Sequence, residues 1–598
     1  MNEKHVSFIH RSSFIISICA MSHLKNFRGV EGTNFFEQDR GLRMLLDELL
    51  PRAVAEEVYS SLARCGSLVG GRWHELACAG NRAEHLPRII KYDRAGNPIE
   101  RVDMGLPVAQ LRREVAEFGL LTAPRSHLHK FALVYLLAHN GEASLACPIS
   151  CTDGLIQVLE AKGAEDLRAT YLPRLRSIET PFAGAQFVTE QAGGSDVGAI
   201  AAVARPNADG SWSLTGDKWF CSNPDEFFAV AARVVDEGTN AAARSAPGTE
   251  GIGVFFVPRV LPDGRLNKLS LLRLKDKLGT RSLPTAEIKF ENATAYPIGE
   301  PREGFKTLMH YVLNVSRVHN AVNSCGFQRR AFLEARNYAR QRAAFGHAII
   351  NYPLVQETLL HLLARLWWQR LLTFRLISLL DQHGLAPADK EQATWQRFLI
   401  NLAKYRTAAT LTSSIREAIL ILGGNGIVED FTVLPRLLRD AMIIETWEGT
   451  HNTLCLQIVR DASGSRLLER WQAETSRARE GWPHDFLAAT RRRFTAAHET
   501  LRTMISSNQF ADRRWAARHA RRFVDQLGNL LELAWLAELA VRHAHGAEPD
   551  MTAALLTVVA ADELLPAEQM FASFSEKLDG YAAALIDETP VTADVSQL

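Results

Sequence analysis

The sequence predicts an α+β chain with one β-rich block between two helical blocks, rather than alternating βαβ units. Three observations carry this. Apolar residues recur at helical spacing up to about residue 184, short apolar or alternating runs fill about 185–295, and long helical patterns return from about 300. At 598 residues the chain exceeds what one core serves, so several packed units are expected.

The elements follow in order. Residues 1–30 read as a leader without fixed structure. His10-Arg11 followed by Phe14 to Ala20 has the outline of an export signal, but the apolar run is short and Met21 follows at once, so a start at Met21 is the simpler reading. The block 31–184 is helical: Leu42 to Leu62 repeats apolar residues at helical spacing with Pro51 as a break, and Val108 to Leu121 does the same. Asp93 to Pro98 is a turn between them. In the block 185–295, Phe187 to Thr189, Ser211 to Leu214, Lys218 to Cys221, Phe227 to Ala232, Gly253 to Val257 and Ala286 to Phe290 read as strands. Asp209-Gly210 and Asp263-Gly264 read as hairpin turns, and Asp236 to Gly251 as a flexible surface loop. In the block 296–460, Leu354 to Leu380 is apolar on more than half its circumference, which suits a helix buried on several sides. Gln392 to Leu422 continues likewise and stops at Gly423-Gly424.

The tail, 461–598, is distinct in charge. Thirteen arginines and seven acidic residues occupy 461–522, whereas 523–598 holds two basic and thirteen acidic residues. Arg513, Arg514, Arg518, Arg521 and Arg522 cluster, with 514, 518, 521 and 522 on one helical face. That face is either solvated, paired with acids, or a contact for a polyanion such as DNA. The chain overall is 47% hydrophobic and 23% charged with net charge +1, so no global charge draws it to nucleic acid or membrane. No run of 18 apolar residues occurs, and a spanning helix is not expected. The eight scattered cysteines read as reduced thiols of a cytoplasmic protein; Cys147 and Cys151 lack the second pair a zinc site needs.

The chemistry-bearing residues lie in five separated motifs. Trp447-Glu448-Gly449-Thr450 places a carboxylate at the edge of an apolar run, where desolvation would raise its pKa toward that of a general base; a helix-start dipole partner is the alternative. Thr189-Glu190-Gln191-Ala192-Gly193-Gly194-Ser195-Asp196 ends a strand with glycines that free backbone N–H groups for a polar planar ligand or phosphate, without matching a nucleotide fingerprint. Lys218-Trp219-Phe220-Cys221-Ser222 sets aromatics beside a hydroxyl, for core packing or for a stacked ring. Arg342 and Phe345 are one helical turn apart, and Gly423-Gly424-Asn425-Gly426 follows a long helix.

In this order and at these distances, from about 140 to 460, the motifs resemble the acyl-CoA dehydrogenase family of FAD flavoproteins. Lys91-Tyr92-Asp93, Glu142 to Ile149, Lys275 to Ser282 and Asp512-Arg513 are similar to its AidB-like branch, named for the bacterial adaptive response to alkylation. The resemblance implies an N-terminal helical domain, a β-barrel-like middle domain, a C-terminal four-helix bundle and an extra helical tail. It implies that Glu448 removes the α-proton of an acyl-CoA thioester while the β-hydrogen leaves as hydride to N5 of FAD. Thr189, Ser195, Phe220, Ser222, Thr450 and Asn452 would then line the flavin, and Ser195, Arg317 and Gly449 the substrate. Arg342, Phe345, Gly423 and Gly424 would serve the FAD of a neighbouring subunit in a homodimer or homotetramer. Electrons would pass to an electron-transfer flavoprotein, and neither a metal nor a membrane is implied.

Some positions depart from the family pattern. Pro353 stands where a glutamine is usual, with Gln356 three later, and Leu420 replaces a second FAD-contacting glutamine. Ser316 occupies the place where some members carry their base, which leaves Glu448 without a rival; relatives that oxidise nitroalkanes carry aspartate instead. Three functions are therefore expected: an acyl-CoA dehydrogenase first, a DNA-associated flavoprotein of the alkylation response second, and a flavin-dependent monooxygenase third.

Overall fold

The computed structural model describes residues 27–235, 248–464, 466–480, 482, 487–507, 511–544, 550–565 and 580–592. The leader to residue 26 and most of the 236–251 loop lie outside the described residues. Pro51 separates α1 (Arg40–Leu49) from α2 (Arg52–Gly70), because its ring cannot continue the first helix but starts the second well. After α3 (Arg72–Gly80) comes an antiparallel hairpin, β1 (Arg88–Tyr92) and β2 (Pro98–Asp103). The sequence marks only its Asp93–Pro98 turn. Only Val102 of the two strands is buried, and the apolar residues Ile89 and Ile90 are adjacent, so no apolar alternation reveals them. Helices α4 (Leu106–Glu117), α5 (His127–Leu137), α6 (Ala146–Lys162) and α7 (Glu165–Leu175) complete this part. Phe27 and Val30, assigned to the leader by sequence, are held: Phe27 stacks on Phe431 at 4.9 Å and Val30 is buried.

The middle block contains β3 (Gly184–Phe187), β4 (Val203–Pro206), β5 (Trp212–Ser222), β6 (Phe227–Val234), β7 (Ile252–Pro258), β8 (Leu269–Leu274) and β9 (Thr285–Pro297). On one edge β6 pairs in parallel with β3 and β4, and on the other it pairs antiparallel with β7. The path β4–β5–β9–β7 then returns to β6 and closes a barrel. Asp209-Gly210 turns the β4–β5 hairpin as expected. Asp263-Gly264 turns the chain too, but its flanks make only an isolated bridge, Val260 to Leu266, because β7 and β8 both pair with β9. Strands β4 and β8 are absent from the sequence-based assignment, and the two runs at Ser211 to Leu214 and Lys218 to Cys221 are one continuous β5.

Helix returns with α8 (Gly304–Thr307), a π-helical turn over 308–313, and α9 (Asn314–Gln341). A two-residue hairpin, β10 (Ala343–Ala344) and β11 (His347–Ala348), leads to α10 (Pro353–His383) and α11 (Lys390–Leu422). Gly423 ends α11 at φ +61°, a conformation glycine takes without a Cβ penalty. Helices α12 (Leu434–Thr446) and α13 (His451–Gly464) follow. The tail adds α14 (Leu467–Glu480), α15 (Ala488–Ile505), α16 (Arg513–Ala544), α17 (Thr552–Leu564) and α18 (Ala582–Ile586).

Two apolar cores organise these pieces. One fills the barrel and the faces of α6 and α7 that cover it. The other is continuous from the N-terminal helices through α9–α13 into the tail, where Leu527, Leu530, Leu531 and Leu555 are fully buried. A buried polar knot crosses that second core. Asp39 caps α1 by accepting from the Leu42 N–H at 2.9 Å, and also accepts from Tyr135 Oη at 2.6 Å and Arg370 Nη1 at 2.7 Å. Arg329 Nε lies 3.4 Å from its other oxygen. One side chain thereby ties α1, α5, α9 and α10.

Candidate active site

Glu448 sits in the turn between α12 and α13, with φ +58°, followed by Gly449 at φ +101°. A left-handed non-glycine residue costs on the order of 1 kcal/mol or more and persists where its surroundings hold it. Two buried cations from neighbouring helices do so. Arg317 on α9 donates from Nε to the Glu448 carbonyl at 3.0 Å, and Lys404 on α11 donates from Nζ to the carbonyls of Glu445 (3.0 Å) and Gly449 (2.9 Å). Arg317 is itself positioned by Asn401 Oδ1 at 2.7 Å and Gln457 Oε1 at 3.2 Å. The backbone of the turn is thus clamped while the side chain stays free for chemistry.

The carboxyl end of Glu448 is met by Gln186 of β3, whose Nε2 donates to Oε1 at 3.2 Å and to Ser316 Oγ at 2.8 Å. Ser316 in turn lies 3.1 Å from Ser150 Oγ of α6. Burial pushes the Glu448 carboxyl up to about 7, and the charges of Arg317 and Lys404 and the Gln186 hydrogen bond only partly oppose it. Burial likewise brings Lys404 down to about 7 against the charge of Glu448, and Arg317 to about 10. The residue as a whole keeps some exposure, so a ligand can reach a carboxyl that is otherwise lodged among protein groups.

Three residues along from Gln186, Thr189 opens the glycine loop. Its carbonyl accepts from the Trp219 N–H at 2.9 Å, and Lys218, fully buried, donates to Val188 O (3.1 Å) and Glu190 Oε1 (2.8 Å). The loop is therefore stapled to the end of β5, which brings Thr189, Phe220 and Ser222 to one rim. Phe220 is 54% exposed and Ser222 shares a hydrogen bond of 3.0 Å with Thr285 Oγ1. Trp219 is not in the core: Lys275 Nζ covers its ring at 3.4 Å. Ser195 is exposed on the loop, and Gly194 is needed where it is, since a Cβ there would come 2.3 Å from Thr189 Oγ1. Thr450 and Asn452 are exposed at the start of α13, Thr450 Oγ1 lying 3.1 Å from Thr453 Oγ1.

Arg342, Phe345, Gly423 and Gly424 form a second group. Asn425 Nδ2 donates to Tyr338 Oη at 3.1 Å, which joins the glycine turn to the last turn of α9 ahead of Arg342. Phe345 is 97% exposed, Leu420 and Ile427 are exposed beside the turn, and a Cβ on Gly423 or Gly424 would meet nothing within 4 Å. This group faces outward. The tail arginines are likewise outward. Arg513, Arg514, Arg518 and Arg522 are exposed on α16 and make no ion pair among the described residues; Arg521 Nε donates to Tyr405 Oη at 3.2 Å.

Gln186, Lys404, Asn401 and Ser150 have no local signature. Gln186 is a polar residue in a short strand, and Lys404 a lysine amid a long helix; their roles depend on which elements fold against them.

Comparisons with known proteins agree with this architecture. Residues 302–463 match the family model "Acyl-CoA dehydrogenase, C-terminal domain", 185–293 the corresponding "middle domain", and 27–179 "Adaptive response protein AidB N-terminal domain". The chain is 32% identical to "Acyl-CoA dehydrogenase family member 11" of Caenorhabditis elegans over 437 residues, covering 70% of each protein. It is 33% identical to "Putative acyl-CoA dehydrogenase AidB" of Escherichia coli over 54% of this chain and 59% of that one. In structure, C. elegans ACDH-11 in complex with C11-CoA superposes with a TM-score of 0.82 at 25% identity, covering 99% of this chain and 100% of that one.

Proposed function

Since this chain belongs to the acyl-CoA dehydrogenase family of oxidoreductases, with an AidB-type N-terminal domain, we propose that it is an FAD-dependent acyl-CoA dehydrogenase in which Glu448 is the α-proton base. The observation that carries the proposal is the carboxylate of Glu448, raised toward neutrality by burial and held by Gln186, on a turn clamped by Arg317 and Lys404. A base with a pKa near the working pH combines the ionised form with enough basicity to take a weakly acidic C–H proton. Gln186 holds the carboxylate oxygen, and its own Oε1 is buried with no partner among the described residues, an acceptor left for a ligand N–H or O–H group. The Glu448 backbone N–H stands beside the base as a donor for the thioester oxygen, where negative charge develops.

The donor set at the rim fits a flavin: Thr189, Ser195 and Ser222 offer hydroxyls, Phe220 an exposed ring, and Gly194 a close backbone approach. FAD, when bound, supplies the acceptor for the β-hydride. Thr450 and Asn452 would hold it from α13. Half-buried Arg342 and exposed Phe345, Gly423 and Gly424 would hold the FAD of a second subunit in a homodimer or homotetramer. Electrons would leave to an electron-transfer flavoprotein. The C11-CoA bound in ACDH-11 makes an acyl-CoA the substrate class to test first. Titration of the purified flavoprotein with a panel of acyl-CoAs should bleach the flavin absorbance; a panel that leaves the spectrum unchanged would sink the proposal.

The pH dependence follows from the base. Glu448 acts ionised, so kcat/KM should rise with pH through about 7 and level off above it. Gln186→Leu removes a hydrogen bond that favours the ionised form, so the midpoint should move upward and activity should fall more below neutrality than above. An unmoved midpoint would show that Gln186 does not bear on the base.

A second reading, a DNA-associated role, is favoured by one observation: Arg513, Arg514, Arg518 and Arg522 stand exposed on α16 without an ion-pair partner among the described residues. Duplex binding should then weaken steeply with salt. Reversing these four arginines to glutamate should flatten the log–log slope by about 0.9 for each phosphate the protein no longer neutralises. Absence of binding at low salt would remove this role.

A further inference from the structure

Between α3 and α12, three residues form an arrangement that the dehydrogenase chemistry does not use. His74 and Cys78 are four apart on α3 and share a helical face. Cys78 Sγ lies 3.4 Å from His74 Nε2, and His74 Nδ1 lies 3.0 Å from Asn140 Oδ1. The amide of Asn140 is fixed, because its Nδ2 donates to the Val69 carbonyl at 2.9 Å. Asn140 therefore presents an acceptor to Nδ1, Nδ1 carries the ring proton, and the Nε2 lone pair is left facing the thiol. Nucleophile, base and orienting amide stand in sequence, as nucleophilic cysteine catalysis requires.

The surrounding charges favour the same state. Arg436 of α12, only 7% exposed, donates from Nη1 to the Ala77 carbonyl at 2.9 Å and from Nη2 to the Asn140 carbonyl at 3.2 Å, and its Nε has no partner among the described residues. Glu31 lies 3.6 Å from His74 Nε2 and pairs with Arg330 of α9 at 2.7 Å. Cys78 keeps part of its surface open. Cys65, Cys221 and Cys325, by contrast, are buried and pushed up by burial.

We propose that Cys78 is a second reactive centre, a thiolate nucleophile activated by His74 and oriented by Asn140, that is oxidised by peroxide. The thiol proton passes to His74 Nε2. The sulfur attacks one oxygen of hydrogen peroxide, an S–O bond forms as the O–O bond breaks, and the departing hydroxide takes the proton back from His74 as water. Sulfur is oxidised by two electrons to the sulfenic acid and peroxide is reduced. Burial raises the thiol, but the Arg436 charge, the His74 hydrogen bond and charge, and Arg330 together bring it down to about 7.

The test is made on the full-length protein. Its cysteines are alkylated with iodoacetamide across acid to alkaline pH, and each site is followed by peptide mass spectrometry. Cys78 is expected to react first, with a rate midpoint near pH 7. After hydrogen peroxide, a dimedone adduct should appear at Cys78 and vanish in Cys78→Ser. In His74→Gln the midpoint should move toward an ordinary thiol, about 8.5, with a loss at pH 7 of about ten-fold or more. A merely structural effect of His74 would slow or speed alkylation equally at every pH, and that outcome overturns the proposal. So does a wild-type midpoint in the ordinary thiol range, or the absence of any dimedone adduct. Thermal unfolding of each variant shows that the fold is kept.

Discussion

Glu448→Gln protein is expected to retain its FAD and to lose flavin reduction by acyl-CoA, with the bleaching rate falling by about 10²–10⁴-fold, the range a positioned general base contributes. Glutamine nearly preserves the volume of the side chain but cannot take the proton. The turn should survive, because Arg317 and Lys404 grip the carbonyls of Glu448, Glu445 and Gly449 rather than the carboxylate. Stopped-flow absorbance on mixing with an acyl-CoA that bleaches the wild type provides the measurement. A variant that bleaches at the wild-type rate, with unchanged cofactor content, would remove Glu448 from its role and leave the proposed chemistry without a base.

The largest effect on stability is expected at Asp39, far from that chemistry. Asp39→Asn leaves Arg370 buried without the opposite charge it touches, beside an uncharged amide, the Tyr135 hydroxyl and the Trp367 ring, whereas Arg329 keeps Glu588 at 2.6 Å. Removing one partner of a buried ion pair typically costs about 3–5 kcal/mol, because the remaining charge stays desolvated. That is a large share of the roughly 5–15 kcal/mol that holds a folded unit together. Burial raises the Asp39 carboxyl, but Arg329, Arg370, Tyr135 and the Leu42 N–H outweigh it and hold it well below the usual carboxylate range. The stabilisation is therefore present above the unfolded aspartate value of about 3.9 and is lost as pH falls through the lower folded value. The gap in denaturation midpoint between wild type and variant should be full near neutrality and should close in acid. A gap that was absent at pH 7, or that widened on acidification, would contradict this account.

Legibility in the sequence depends on the kind of residue. Pro51, Asp209-Gly210 and Gly423 announce a break, a hairpin and a helix end, because each acts through its own backbone. Long helices such as α10 and α11 declare themselves by apolar period. The exposed β1–β2 hairpin and the short strands β4 and β8 do not: strands that bury little carry no alternation, and their pairing is supplied by neighbours. Trp219 is ambiguous between core and site until Lys275 is seen over its ring.

Local spacing and residue chemistry suffice for the order of the three blocks, the separate motifs and the carboxylate in the Trp447-Glu448-Gly449-Thr450 turn, and the resemblance of those motifs to known relatives supplies the family. They do not suffice for the surroundings of that carboxylate, which exist only once the chain has folded. Gln186 arrives from 262 residues away, Arg317 from 131 and Lys404 from 45 relative to Gly449, and the tail folds into the same core as the bundle. Desolvation and charge pairing depend on distance in space, and a pattern along the chain does not encode which distant groups come within a few ångströms.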